Sequence, residues 1–237
     1  MKEKIIGILG GMGPEATIDL ANKIIQCTHV TKEQDHCRII IDNNPGIENR
    51  TEAILSGNTG RVISQLSETA VNLEKAGADF IIIPCNTAHY FLEQIRQAVN
   101  IEVLDMIEET ALFISRKYPR AEKAGILGTS ATCRTELYHK ALSAKNISVI
   151  TPDDPDQEKV MTAIALIKEE NGHRRAGIIL AGAAEKLINN GAEMVIAACT
   201  EVPLALKPSD IDAPLIDPSK ILAARAVEAV KGKAKDF

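Results

Sequence analysis

Cys85 and Cys199 are the residues of this sequence best suited to chemistry. They lie in Pro84-Cys85-Asn86-Thr87-Ala88-His89 and Ala198-Cys199-Thr200-Glu201-Val202-Pro203. An unperturbed thiol titrates at about pH 8.5, near working pH, so it serves as proton donor in one state and acceptor in the other. Inverting a carbon centre through its proton needs such a group on each side, one face losing a proton and the other gaining one. Two thiols resting as one thiolate and one thiol meet that need in both directions, and each enantiomer selects the matching form. A helix N-terminus favours thiolate further. Helix-start signals follow both cysteines, Asn86-Thr87 in the first motif and Thr200-Glu201 before Pro203 in the second.

The elements that must position these thiols repeat. Phe80-Ile81-Ile82-Ile83 precedes Cys85 and Met194-Val195-Ile196-Ala197 precedes Cys199. Short apolar runs bounded by turn signals are expected as fully buried parallel strands. Each run follows a turn of one kind, Ala76-Gly77-Ala78-Asp79 and Asn190-Gly191-Ala192-Glu193, and each turn follows a helical pattern. Ligands of open α/β sheets gather at the carboxyl ends of such strands. Two more echoes keep the order: Ile6 to Gly11 with Ala124 to Thr129, and Glu102 to Asp105 with Pro214 to Asp217. Gly7, Cys85 and Asp105 are spaced by 78 and 20 residues, and Gly125, Cys199 and Asp217 by 74 and 18. These landmarks imply a duplicated unit. Duplicated units pack about a pseudo-two-fold axis, which would set Cys85 and Cys199 on opposite walls of one cleft.

The periodicity predicts strands over Lys4–Leu9, Arg38–Ile41 and Glu102–Leu104. It predicts helices over Ile18–Val30, Gly60–Ala76, Ala88–Val99, Ile107–Lys117, Lys159–Glu170, Ala176–Asn189 and Ile221–Val230. The loop Gly10-Gly11-Met12-Gly13-Pro14 opens the first helix and offers N–H groups to an anion. It is neither a dinucleotide fingerprint, since Ala16 stands where a third glycine would, nor a phosphate-binding P-loop, since no Gly-Lys-Ser/Thr follows. Arg50 lies in a polar loop after the second strand; its guanidinium fork suits a carboxylate.

Totals exclude several classes. The chain has 237 residues, 45% hydrophobic, with net charge -5 and no basic block, so nucleic acid is not an expected partner. The start Met1-Lys2-Glu3-Lys4 does not read as a signal peptide, and no apolar run approaches the roughly 18 residues of a membrane helix. Five cysteines in a chain this long form no disulfide framework, so a reducing cytoplasm is expected. No Cys-x-x-Cys pair or His cluster suggests a metal. Aromatic residues at 3% leave little for stacking a flavin or a base.

A single Cys after a buried strand is ordinarily a small core residue. Two at equivalent repeat positions, each followed by hydrogen-bonding residues, favour the functional reading. Cys27, Cys37 and Cys133 have no partner in the repeat and read as structural, Cys133 in a polar loop. His89 is expected to be satisfied by backbone, and Asp105 and Asp217 to cap the helices that follow. Glu201 is expected to turn away from Cys199 or to cap a backbone N–H.

The sequence resembles the aspartate/glutamate racemase family, particularly its aspartate racemase branch. The likeness rests on Gly10-Gly11-Met12-Gly13-Pro14, Asn44-Pro45 with Arg50-Thr51, Pro84 to His89, Gly128-Thr129 with Thr132, and Cys199-Thr200-Glu201. It covers nearly the whole chain, and the tandem cysteine motifs carry its specificity. The resemblance implies two similar α/β subdomains with parallel sheets, 1–98 plus 208–237 and 99–207. It implies racemisation of a small acidic amino acid without pyridoxal phosphate, metal or other cofactor, with Cys85 and Cys199 exchanging the proton. Asn86, Thr87, Thr129 and Thr200 would line the site and hold the α-carboxylate and amino group, with Met12 packing over it. Arg50 and Lys168, the latter 31 residues before Cys199, would bind carboxylates. A homodimer is implied as well. Some relatives carry Thr at the first cysteine position; this chain keeps both thiols. The glutamate branch has His after the second Cys-Thr pair, so Glu201 favours aspartate. Glutamate or a broader set stays open, as do decarboxylation or cis–trans isomerisation of a related diacid and a non-catalytic small-anion binder.

Overall fold

A computed structural model describes residues 3–169 and 171–235. In chain order the first elements are β1 (Ile6–Gly10), α1 (Pro14–Cys27), β2 (Ile39–Asn43), α2 (Arg50–Ser56), α3 (Gly60–Lys75), β3 (Phe80–Ile82), α4 (Leu92–Ala98), β4 (Glu102–Val103) and α5 (Met106–Lys117). They are followed by β5 (Lys123–Ile126), α6 (Ser130–Arg134), α7 (Leu137–Ser143), β6 (Ser148–Ile150), α8 (Asp154–Ile167), α9 (His173–Asn189), β7 (Met194–Ile196), α10 (Val202–Ala205), β8 (Leu215–Ile216) and α11 (Pro218–Lys231). Two compact units result, 1–109 with 219–237 and 110–218.

Each unit holds one parallel four-stranded sheet, ordered β2-β1-β3-β4 in the first and β6-β5-β7-β8 in the second. The orders are equivalent, as the duplication predicts. The register agrees too: Gly7 pairs with Ile81 and Gly125 with Val195. Gly7 and Gly125 themselves lack room for a side chain. A Cβ on Gly7 would lie 2.9 Å from the Ala78 Cβ, and one on Gly125 3.2 Å from the Ala192 Cβ. Those alanines belong to the turns entering β3 and β7. Both turns rest on a left-handed glycine, Gly77 at φ 97° and Gly191 at φ 95°, where a side chain is disfavoured.

Helices cover both faces of the first sheet, so its central strands are apolar throughout. Ile6, Ile8, Phe80 and Ile82 pack with Leu20 and Ile24 of α1 and Leu222 and Val227 of α11. Leu9, Ile81 and Ile83 pack on the other face with Val62 and Leu66 of α3 and Ile95 of α4. In the second unit Val195 and Ala197 pack with Val160 and Ile164 of α8 and Leu180 and Leu187 of α9.

Several expected boundaries move. The helix expected over Ala88–Val99 is a 3-10 turn, Thr87–Phe91, followed by α4. The helix expected over Lys159–Glu170 starts earlier and ends at Ile167 as α8, and Glu170 lies outside the described residues. The Asp153 side chain accepts from the Asp156 N–H, and Pro155 sits in the first turn, so the cap and the proline set the earlier start. Strand β6 and helices α2, α6 and α7 were not among the expected elements.

Candidate active site

In each sheet the strand order reverses between the two central strands, where an open α/β sheet forms its crevice. Cys85 lies just past β3, beside the end of β1, and Cys199 just past β7, beside the end of β5. Alternation along the chain carries the face of each strand into its cysteine. Ile81, Ile83 and Cys85 share one apolar cluster, and Val195, Ala197 and Cys199 share another. Neither cysteine is in a disulfide, and each residue is 6% exposed.

Around Cys85 the backbone is held firmly. The Cys85 N–H donates to the Ile83 carbonyl at 2.9 Å. His89 Nδ1 lies 2.8 Å from the Cys85 carbonyl, and the Met106 N–H donates to His89 Nε2 at 3.1 Å. Since Nε2 accepts, Nδ1 carries the hydrogen and donates to Cys85. Burial holds His89 below its usual pKa, and its role is the backbone one expected. Asp105 caps α5 as predicted, its Oδ1 accepting from the Ile107 and Glu108 N–H groups. Asn86 and Thr87 are buried beside the thiol. Met12, 2% exposed, belongs to the same apolar cluster as Cys85. The glycine loop has less to offer an anion than expected, because the Gly11 N–H donates to Thr17 Oγ1 at 2.9 Å.

Arg50 begins α2, whose cap is Asn49. One guanidinium nitrogen donates to the carbonyls of Ile47 at 3.1 Å and Glu48 at 2.9 Å. Its Nε is buried and meets no acceptor among the described residues. A buried, oriented donor on a permanently charged group is what an anionic ligand would satisfy.

Around Cys199 the expectation for Glu201 is overturned. Glu201 neither turns away nor caps a backbone N–H: the Cys199 thiol donates to Glu201 Oε2 at 2.9 Å, and the Thr200 hydroxyl donates to the same oxygen at 3.4 Å. Glu201 is 5% exposed, and a buried carboxylate takes the nearest donors. Lys168 Nζ lies 3.9 Å from the other carboxylate oxygen, with its side chain 54% exposed. Thr129 caps α6 and accepts from the Thr132 N–H at 3.1 Å. Cys133 lies in α6, not in a loop; burial pushes its thiol up to about 12.

The helices after the cysteines are short, a five-residue 3-10 turn and the four-residue α10. They carry little dipole, so the helix-terminus argument for thiolate loses most of its weight. Among the described residues no three His, Cys, Asp or Glu are grouped to hold a metal ion, and no helix is long and apolar enough to cross a membrane.

The chain is 33% identical over 233 residues to the broad specificity amino-acid racemase RacX of Bacillus subtilis, covering 94% of this chain and 96% of that protein. The solved aspartate racemase of Picrophilus torridus superposes with a TM-score of 0.82 at 30% identity, over 97% of this chain and 95% of that one. A solved aspartate racemase homologue from Pyrococcus horikoshii gives 0.72 at 25% identity, over 96% and 99%. Residues 9–226, which span both cysteines and both sheets, match the family model described as Asp/Glu/Hydantoin racemase. With nearly the whole chain matched in sequence and fold, the protein belongs to the Asp/Glu/Hydantoin racemase family.

Proposed function

We propose that this amino-acid racemase acts on aspartate, without pyridoxal phosphate, by passing the Cα proton between Cys85 and Cys199. The observation that carries the reading is the equivalence of the two thiols. Each stands just past the third strand of a sheet of the same order, beside the reversal point, and each is only 6% exposed. A reaction with mirror-related directions calls for two such groups. The mechanism requires them to reach opposite faces of Cα, one taking the proton while the other supplies one.

Arg50 and Lys168 supply the positive charge for a dianionic substrate. The buried Arg50 Nε supports that role, as does the exposed ammonium of Lys168 beside Glu201. Asn86, Thr87, Thr129 and Thr200, all buried next to the strand ends, are the polar groups for the α-carboxylate and amino group. The likeness to the Picrophilus torridus aspartate racemase supports aspartate, and the likeness to RacX supports a wider substrate range around it.

Proton NMR of the protein with L-aspartate, and then L-glutamate, in heavy water without added pyridoxal phosphate tests the proposal. Loss of the Cα proton signal together with D-aspartate on a chiral column is the expected result. No exchange with either, but thermal stabilisation by a dicarboxylate, would leave a binder, decarboxylase or isomerase in its place.

A further inference from the structure

The two halves share strand order and cysteine position but differ two residues beyond the thiol. There the first unit has Thr87 and the second has Glu201. Glu201 is 5% exposed, accepts the Cys199 S–H at 2.9 Å, and lies 3.9 Å from Lys168 Nζ. A carboxylate at hydrogen-bonding distance takes the S–H hydrogen and opposes a second negative charge on sulfur. Among the described residues no carboxylate bonds the Cys85 thiol in the corresponding place, and the two residues that follow it, Asn86 and Thr87, are neutral.

We infer that Glu201 is a positioning residue that holds the proton on Cys199 in the free enzyme, so that the resting protein carries its base at Cys85 and its acid at Cys199. The inference rests on the two-thiol reading. The free enzyme is then prepared for the enantiomer that presents its Cα–H to Cys85. In that turnover the C–H electron pair stays on carbon as the proton moves to the Cys85 sulfur. The Cys199 S–H bond breaks with its pair left on sulfur, and that proton joins Cα from the other face. Cys199 becomes a thiolate beside a carboxylate and Cys85 a thiol; exchange with solvent, in which Cys85 gives up its proton and Cys199 takes one, then restores the resting form. The other enantiomer must wait for the less populated form.

Thiolate is the species that alkylates, so iodoacetamide labelling of the whole protein at pH 7.5, with peptide mapping by mass spectrometry over time, reads the asymmetry directly. Equal exposure of the two thiols leaves ionisation as the expected difference. In the wild type Cys85 should be labelled severalfold faster than Cys199. Glu201→Gln keeps the size and an acceptor oxygen but removes the charge; it should speed labelling of Cys199 severalfold and leave Cys85 as the internal reference. Equal rates in the wild type, or a Cys199 rate unmoved by Glu201→Gln, overturn the inference. Should the variant fail to fold, the wild-type ratio still decides. Labelling needs no turnover, so absence of Cα exchange would overturn the racemase reading and leave this order of labelling standing.

Discussion

The His89 imidazole links the Cys85 carbonyl, at 2.8 Å, to the Met106 N–H, at 3.1 Å, and so ties the cysteine loop to the first turn of α5. Both bonds need the neutral ring with its hydrogen on Nδ1. Burial lowers the His89 pKa from the usual 6.5. The unfolded chain therefore gains a proton as pH falls through 6.5 while the folded protein does not. Stability is intact above that value and is lost as pH falls toward the depressed folded value, at no more than about 1.4 kcal/mol per pH unit. Thermal melts between pH 7.5 and 5.5 should show this slope, and His89→Gln, less stable at neutral pH, should show a shallower one. An unchanged slope would assign the acid sensitivity to other groups.

Cys85→Ala and Cys199→Ala should each abolish racemisation of aspartate. Losing an acid/base group typically costs about 10²–10⁴-fold, so either variant retaining more than about a hundredth of the wild-type rate contradicts the two-thiol mechanism. Both thiols sit in apolar clusters and alanine removes little volume, so thermal melts should remain near the wild type and separate lost chemistry from lost fold.

Arg50→Lys should raise KM for aspartate while the protein stays folded. The guanidinium is fixed by the Ile47 and Glu48 carbonyls and leaves Nε buried without an acceptor. An ammonium keeps the charge but loses the planar pair of donors. A hydrogen bond between charged groups is worth about 1.5–3 kcal/mol, or roughly tenfold to a hundredfold in KM. Steady-state kinetics on both enantiomers checks this; a KM within twofold of the wild type would remove Arg50 from the site.

The strands that carry the cysteines were legible because fully buried parallel strands announce themselves as apolar runs between turns. Gly77 and Gly191, both left-handed in the structure, mark the entries to β3 and β7. The match between Ile6–Gly11 and Ala124–Thr129 is borne out as two sheets of one order. Strand β6 escaped notice because Ser148-Val149-Ile150 is three residues at a partly exposed edge, too short for a period to register. The early start of α8 was there to be read in Asp153 and Pro155. The contact of Glu201 with Cys199 was not, since a side chain two residues away in a loop points wherever the local backbone turns it, and no periodicity specifies that. The same holds for Arg50: its type suggested an anion clamp, but which nitrogen is left over depends on how its own loop folds onto the guanidinium.

Cys133 should behave as an inert thiol despite its partial exposure. It donates to Gln157 Oε1 at 3.6 Å, and burial raises it to about 12. At pH 8 only about one molecule in 10⁴ then carries the thiolate, against roughly a quarter for an unperturbed thiol. Timed alkylation of the native protein should leave the Cys133 peptide unmodified over the time in which a small-molecule thiol added as reference reacts fully, and unfolding in guanidinium chloride should release it. Labelling of native Cys133 at the rate of a free thiol would mean that α6 opens readily, and the cap that Thr129 supplies to that helix would then be the place to look for the cause.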